Sequence, residues 1–384
     1  MDFDLTDEQR LLKDSVDRMI DDAYGDFEKR RRHQSGPGGY SAELWSGFAE
    51  LGLLTLPFGE EEGGIGGGPV ETMLVMEAFG RGLVVEPYLS TVVLGGGFLR
   101  HGATAAQRAE LIPLLAAGKL TLALAQLEPS SRYCLHDVAT TARRDGEGFV
   151  LDGRKVAVLH GDSAGRLVIS ARTAGTRTER HGITLFLVDA TAPGVTRTGM
   201  ATQDGLRAAD ILLEGVRLGA EDVLGEVDAG LTLLEQVVDV AIAALCAEAV
   251  GIMEDLQRGT VEYLKTRQQF GVAIGSFQAL QHRAADMLVA VEQARSMALY
   301  AAMMADEADP ALRRPAISAA KVQINNSARK VGQEAIQLQG GIAMTLEYKA
   351  GHAFKRLAMI EKSLGDTDHH LRAVSEADGL VEAE

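Results

Sequence analysis

The stretch Arg267-Gln268-Gln269-Phe270-Gly271-Val272-Ala273-Ile274-Gly275-Ser276-Phe277-Gln278 closes one long helical pattern, turns on two glycines and starts another. Gly271 stands where a helix C-cap favours a residue free to take positive φ. Ser276 is a good N-cap for the pattern that follows. Arg267 and Phe270 lie three positions apart, so on a helix a cation and an aromatic ring leave the same face together. A guanidinium and a ring beside a helix start carrying Gln278 suit a phosphate joined to a planar heterocycle. A surface arginine beside a capping turn is the other reading that spacing alone leaves open.

Helical patterns flank this stretch on both sides. Residues 231–267 form one. Residues 276–306 form a second, with Leu280, Ala284, Met287, Val291, Ala294 and Ala298 on one face. Pro315 opens a third, through Ile317, Ile324, Ala328, Val331, Ala335 and Leu338 to Gly340-Gly341, and residues 351–374 form a fourth. Such stripes bury against one another as an antiparallel four-helix bundle, spanning residues 226–384.

Residues 119–225 read differently. Short apolar runs at 120–126, 138–142, 149–151, 155–159, 167–171, 183–188 and 209–213 alternate with turns, two of them Asp-Gly, and no helix intervenes. That pattern predicts an antiparallel β unit. Residues 1–118 are helical again. Leu5, Leu12, Val16 and Ile20 follow helical spacing behind Thr6 or Asp7 as N-cap. Arg30-Arg31-Arg32-His33 through Gly38-Gly39 reads as a loop, and Ser41 caps a short helix through Leu44, Trp45, Phe48 and Leu51. Helices follow at 70–80, 91–101 and 105–116. Gly63-Gly64-Ile65-Gly66-Gly67-Gly68-Pro69 is no phosphate loop, because Glu60, Glu61 and Glu62 precede it and no Lys-Ser/Thr follows. The fold class is α+β: an N-terminal α-helical domain (1–118), a middle β domain (119–225) and a C-terminal helical bundle (226–384).

The chain has 384 residues, 46% hydrophobic and 24% charged, enough for two or three packed units. A net charge of -16 makes nucleic acid and anionic membrane poor partners. Two cysteines, Cys134 and Cys246, suit a reducing compartment with no disulfide frame; Cys246 falls in an apolar run and reads as core packing. The acidic start is unlike a signal peptide. Lys119, or Asp239 and Glu248, interrupt the longest apolar stretches, so no membrane span is expected. A soluble, cytoplasmic protein is predicted.

The quoted stretch resembles the R-x-x-F-G-x-x-I-x-x-F-Q signature of the acyl-CoA dehydrogenases, matching at every fixed position, and the resemblance runs from Asp2-Phe3-Asp4-Leu5-Thr6-Asp7-Glu8-Gln9 to the C-terminal helices. It implies helical, β-barrel-like and four-helix-bundle domains in that order, FAD as cofactor, acyl-CoA as substrate, an electron-transfer flavoprotein as acceptor and a dimer or tetramer. It also implies that Arg267, Phe270 and Gln278 reach a neighbouring subunit's FAD. Gln337-Leu338-Gln339-Gly340-Gly341 matches the family's Q-x-x-G-G. This implies that Gln337, Gly340 and Gly341 lie against the neighbour's pyrophosphate, where glycine lets backbone amides approach; read alone, the segment is equally a polar last turn with a glycine cap.

The family's base is a Glu at one of two positions, and here these are Leu364 and Ala241. Its flavin-facing Thr-Glu-Pro is Leu127-Glu128-Pro129, and its Trp-x-Thr-Asn-Gly is Ala157-Val158-Leu159-His160-Gly161. Two hydroxyl donors are thus leucines, and each missing partner costs a buried flavin atom about 1–3 kcal/mol. Among rival carboxylates, Asp239 and Asp366 lie two positions from the expected sites and Glu361 nearly a turn away, so a solvated helix face is the better reading of each. Adjacent His369 and His370 point apart on a helix, so no metal is expected. Retained outward residues beside a missing base resemble the small, non-catalytic subunit of heteromeric bacterial acyl-CoA dehydrogenases, of the pimeloyl-CoA dehydrogenase type. Ser131-Arg132-Tyr133 and the ending Gly365-Asp366-Thr367-Asp368-His369-His370 share that likeness. This implies a homologous catalytic subunit as partner. A silent binding protein of the same fold, or a stand-alone dehydrogenase with a relocated carboxylate, are the alternatives.

Overall fold

Thr6 starts the first helix with a reciprocal cap: its hydroxyl accepts from the Gln9 amide at 3.2 Å, and the Gln9 side chain accepts from the Thr6 amide at 3.0 Å. The computed structural model describes residues 5–377, so Asp2, Phe3 and Asp4 lie outside the described residues. Helices α1 (Asp7–Tyr24), α2 (Phe27–Gln34), α3 (Ala42–Glu50), α4 (Pro69–Gly82), α5 (Gly96–Gly102) and α6 (Ala105–Ala116) come first. Strands β1 (Leu122–Ala125), β2 (Thr141–Asp145), β3 (Gly148–Leu159), β4 (Arg166–Arg172), β5 (Ile183–Asp189), β6 (Val195–Ala201), β7 (Arg207–Leu218) and β8 (Val223–Leu224) follow. Then come α7 (Gly230–Thr266), a hairpin of β9 (Gln268–Gln269) and β10 (Val272–Ala273), and α8 (Gln278–Ala305), α9 (Pro310–Gln339), α10 (Lys349–Lys362) and α11 (Thr367–Ala377).

The described residues pack as two units. One contains residues 5–32, 69–84 and 242–377; the other contains 33–68 and 85–241. In the first, α8 and α9 run antiparallel, tied by Arg283 to Glu334 at 2.6 Å and Gln323 to Gln293 at 3.5 Å. Helix α10 returns along α9, with Arg329 bonded to Glu361 and the Lys321 ammonium to the Ile360 carbonyl at 2.6 Å. Helices α4 and α7 cross where neither tolerates a side chain: a Cβ on Gly80 would lie 2.0 Å from the Glu248 carbonyl, and one on Gly251 1.9 Å from that of Glu77. A network of Arg81 and Arg295 with Asp17, Glu77 and Glu254 joins α1, α4, α7 and α8.

In the second unit the strand order is β6-β7-β3-β2-β4-β5-β8, with β1 beside β4. The sheet is mainly antiparallel, as expected, but β1 pairs parallel with β4 and β2 meets β4 in a parallel bridge. Its core includes Phe149 against Phe186, centroids 5.1 Å apart.

Several local expectations change. Arg30-Arg31-Arg32-His33 lies in α2 rather than a loop, and buried Arg30 donates to the Leu83 carbonyl at 2.7 Å; long unbranched side chains suit a helix. Asp152-Gly153 does not end a strand, because β3 continues through it as a bulge against β7. β6 was missed because Val-Thr-Arg-Thr-Gly-Met-Ala shows little apolar alternation and is largely exposed. Residues 89–95 coil as a π-helix before α5. Pro315 sits inside α9, which starts at Pro310 behind Asp309 as cap. The expected fourth helix breaks between α10 and α11, where Leu364 (φ 57°) and Gly365 (φ 120°) turn the backbone. Helix α7 is, by length and composition, long and apolar enough to cross a membrane, contrary to expectation; 89% of its apolar window is buried in the protein, which accounts for its apolarity.

Lys321 is fully buried, and burial lowers its pKa to about 8. At pH 7 its ammonium is charged in both states and carries the whole burial penalty. Between about pH 8 and the ordinary lysine value the unfolded state holds more protons than the folded one, so stability rises with pH. Lys321→Met should therefore stabilise the protein at pH 7 by about 1–2 kcal/mol, and its advantage should shrink from pH 8 to 10 in thermal melts. Parallel pH profiles for the two proteins would contradict this.

Candidate functional site

The residues singled out in the quoted stretch do not share a helix face. Helix α7 ends at Thr266, and the Arg267 carbonyl accepts from the Ile274 amide at 2.9 Å across the β9–β10 hairpin. Phe270 (φ 54°) and Gly271 (φ 79°) are the two central residues of its turn. Positive φ at both is the mark of a type I′ turn, so Gly271 serves a hairpin and not a helix cap. Ser276 does not cap α8 either: its hydroxyl donates to the Ala273 carbonyl at 2.7 Å, and Phe277 occupies the cap position without a side-chain bond.

The tertiary structure nevertheless gathers these residues with the second motif. Gln339 donates to the Thr260 hydroxyl at 2.7 Å, joining the C-terminal ends of α7 and α9. The α8–α9 register brings Gln278, at the start of α8, level with the end of α9. Arg267, Phe270, Gln278, Gln337, Gly340 and Gly341 therefore converge on one end of the bundle, and all six are exposed. Among the described residues no carboxylate lies within ion-pair distance of Arg267. Phe270 is 90% exposed, with its ring edge-on to Phe277 at 6.2 Å. Val272, Ile342, Met344 and Leu346 extend an exposed apolar surface on the segments that carry these residues.

Gly340 takes φ 69°, ψ −145°, a conformation essentially restricted to glycine. At Gly341 a Cβ would meet no heavy atom within 4 Å, so internal packing does not require a glycine there. An unpaired guanidinium, glycine backbone without a Cβ, two amide side chains and an exposed ring fit the phosphates and planar ring of FAD, although the Gly340 amide itself donates to the Ile336 carbonyl. They fit as a wall open to solvent.

The positions expected to serve the chain's own flavin do not fit. Leu127 is half-buried, and its carbonyl accepts from the Val156 amide at 2.9 Å, which sets it beside β3. Leu159 ends β3, opposite Ala208. Neither offers a hydroxyl. Ala241 is fully buried. Leu364 occupies the α10–α11 turn, its carbonyl 3.2 Å from His370 Nε2, and the Ser318 hydroxyl is 3.1 Å from His370 Nδ1. Burial holds His370 far below its ordinary range, at about 3, so the ring is neutral and anchors the turn. Asp366 caps α11 by accepting from the His369 amide at 3.1 Å, and Glu361 is held by Arg329. Asp239 is buried rather than on a solvated face.

Sequence reading missed a buried pair next to Leu127. The Glu128 carboxylate accepts from Lys155 at 2.7 Å and from the Ala139 and Thr140 amides at 2.7 and 3.0 Å; Lys155 also reaches the Ser170 hydroxyl at 3.1 Å. Burial pushes the Glu128 carboxyl upward, but Lys155 and Thr140 outweigh it and hold the group below its ordinary value. A lysine in the apolar alternation of β3 was the available signal.

Family models described as the N-terminal, middle and C-terminal domains of acyl-CoA dehydrogenase match residues 6–119, 123–216 and 228–377. Acyl-CoA dehydrogenase FadE12 of Mycobacterium tuberculosis (strain ATCC 25618 / H37Rv) is 30% identical over 89% of this chain and 88% of its own length. Among solved structures, the ChsE4-ChsE5 complex from Mycobacterium tuberculosis matches with a TM-score of 0.87 and 25% identity, covering 100% of both chains. The FAD complex of PigA matches with a TM-score of 0.90 and 26% identity over 99% of this chain and 100% of that one.

The two glycines should separate in a stability measurement. Gly340→Ala should cost about 1–3 kcal/mol, whereas Gly341→Ala should stay within about 0.5 kcal/mol of the parent. Equal losses in thermal melts would show Gly341 to be structural.

Proposed function

The chain belongs to the acyl-CoA dehydrogenase family, FAD-dependent oxidoreductases acting on a CH–CH bond, and on that premise we propose that it is the subunit of a heteromeric dehydrogenase that completes a homologous partner's FAD site. One observation carries this reading. The six outward residues at the bundle end are retained and exposed, while Leu127, Leu159, Ala241 and Leu364 leave the chain's own flavin and substrate without donors or base. The ChsE4-ChsE5 complex, built from two named components, supports a heteromeric arrangement for a chain of this fold.

FAD supplies the electron acceptor for α,β-desaturation of an acyl thioester. The role of this chain is to bind and orient it. Arg267 would hold a phosphate as a charge-assisted donor, and Gly340 and Gly341 would let the backbone come close to the pyrophosphate without a Cβ in the way. Gln278 and Gln337 add amide hydrogen bonds. Phe270 and the apolar side chains around it exclude water from the partner's ring. A carboxylate of the partner would take the α-proton, and an electron-transfer flavoprotein would be the electron acceptor.

Removing the guanidinium is the direct test. Arg267→Ala in the co-expressed complex should lower FAD retention after gel filtration by about tenfold or more, the loss of one charge-assisted bond to phosphate. Unchanged FAD content would defeat the proposal. Leu364→Ala should leave turnover of the same complex within about twofold, since nothing is lost from a transition state; a large fall would instead assign chemistry to this chain's own turn.

A further inference from the structure

In the unit that contains the sheet, Cys134 Sγ lies 3.4 Å from His136 Nε2. The segment carrying both is tightly held. Glu128 binds the amides of Ala139 and Thr140, the Val138 amide donates to the Arg177 carbonyl at 3.1 Å, and Arg177 pairs with Asp137 at 2.5 Å. The Arg172 guanidinium donates to the carbonyls of His136, Arg177, Glu179 and His181 at 2.7–2.9 Å. Thiol and imidazole are therefore presented in fixed geometry, half-buried and open to solvent on one side.

The surroundings keep the imidazole unprotonated. Burial lowers the basicity of His136, as do Arg180 and Arg172, against the opposing carboxylates of Glu235 and Asp137. The ring is thus neutral at pH 7 and free to accept a proton. Cys246 is fully buried, and burial pushes its thiol up to about 11 despite the nearby Lys321.

We propose that Cys134 and His136 form a thiol–imidazole nucleophile that takes an acyl group from an acyl thioester. The Cys134 sulfur attacks the thioester carbonyl carbon as its proton passes to His136 Nε2. The bond from that carbon to the carrier sulfur then breaks, and the departing thiolate takes the proton back from the imidazolium. One thioester is exchanged for another, with no oxidant required. The ligand class rests on the family's acyl-thioester chemistry; the pairing of the two side chains does not.

Mass spectrometry of the full chain tests it, with Cys246 as the internal unreactive thiol. Iodoacetamide should alkylate Cys134 at least about tenfold faster in the parent than in His136→Asn or His136→Gln, each confirmed as folded by its thermal melt. Acetyl-CoA should add one acetyl group to Cys134 that neutral hydroxylamine removes and that Cys134→Ser lacks. Equal alkylation rates in parent and both His136 variants, or no acetyl adduct on the parent, would overturn the proposal. Arg267→Ala should alter neither readout, so failure here and failure of the FAD-site reading are distinguishable.

Discussion

Phe270 is held in a way that the isolated chain does not explain. Its φ of 54° is uncommon for a bulky side chain, and its ring is 90% exposed to solvent. The type I′ turn sets that φ, but exposure of so large an apolar ring is disfavoured within one protomer. A surface that received the ring would bury it, and the neighbouring guanidinium, glycines and glutamines stand exposed at the same end of the bundle. At this end of the bundle the hairpin carries Phe270, α8 starts beside it, and α9 ends level with it.

The rest of the helical unit supplies the rigidity this demands. Reciprocal glycines at 80 and 251 bring α4 and α7 into backbone contact, and Glu248 and Arg356, both buried, make two bonds of 2.6 and 2.7 Å between α7 and α10. Removing one partner of such a pair strands a buried charge and costs about 3–5 kcal/mol. In the sheet unit, Glu128 and Lys155 play the equivalent part below the segment that carries Cys134 and His136.

Much of this was legible in the sequence. Helical stripes located α7, α8 and α9, because apolar residues at a 3.6-residue period have to face a neighbour. Ser41 was read as a cap, and Thr6 as one of two candidates with Asp7, because such bonds span three positions. The six residues of the candidate site were named from motif resemblance, but their local setting was misjudged. A type I′ hairpin and a helix cap both call for positive φ at Gly271, and only the hydrogen bond from Ile274 to Arg267 distinguishes them. Long-range features were out of reach: the Lys155–Glu128 pair joins residues 27 apart, and the break after α10 depends on His370 anchoring the Leu364 carbonyl. The exposed β6 carried no hydrophobic pattern to read.

The central claim is that this chain forms the outer wall of a flavin cleft whose reactive wall belongs to another polypeptide. Visible absorbance of the purified protein measures this most directly, with the chain prepared alone and then together with an acid-bearing homologue. The account predicts a colourless chain on its own and a yellow complex holding one FAD per pair. A yellow chain that alone reduces a dye when given acyl-CoA would contradict it.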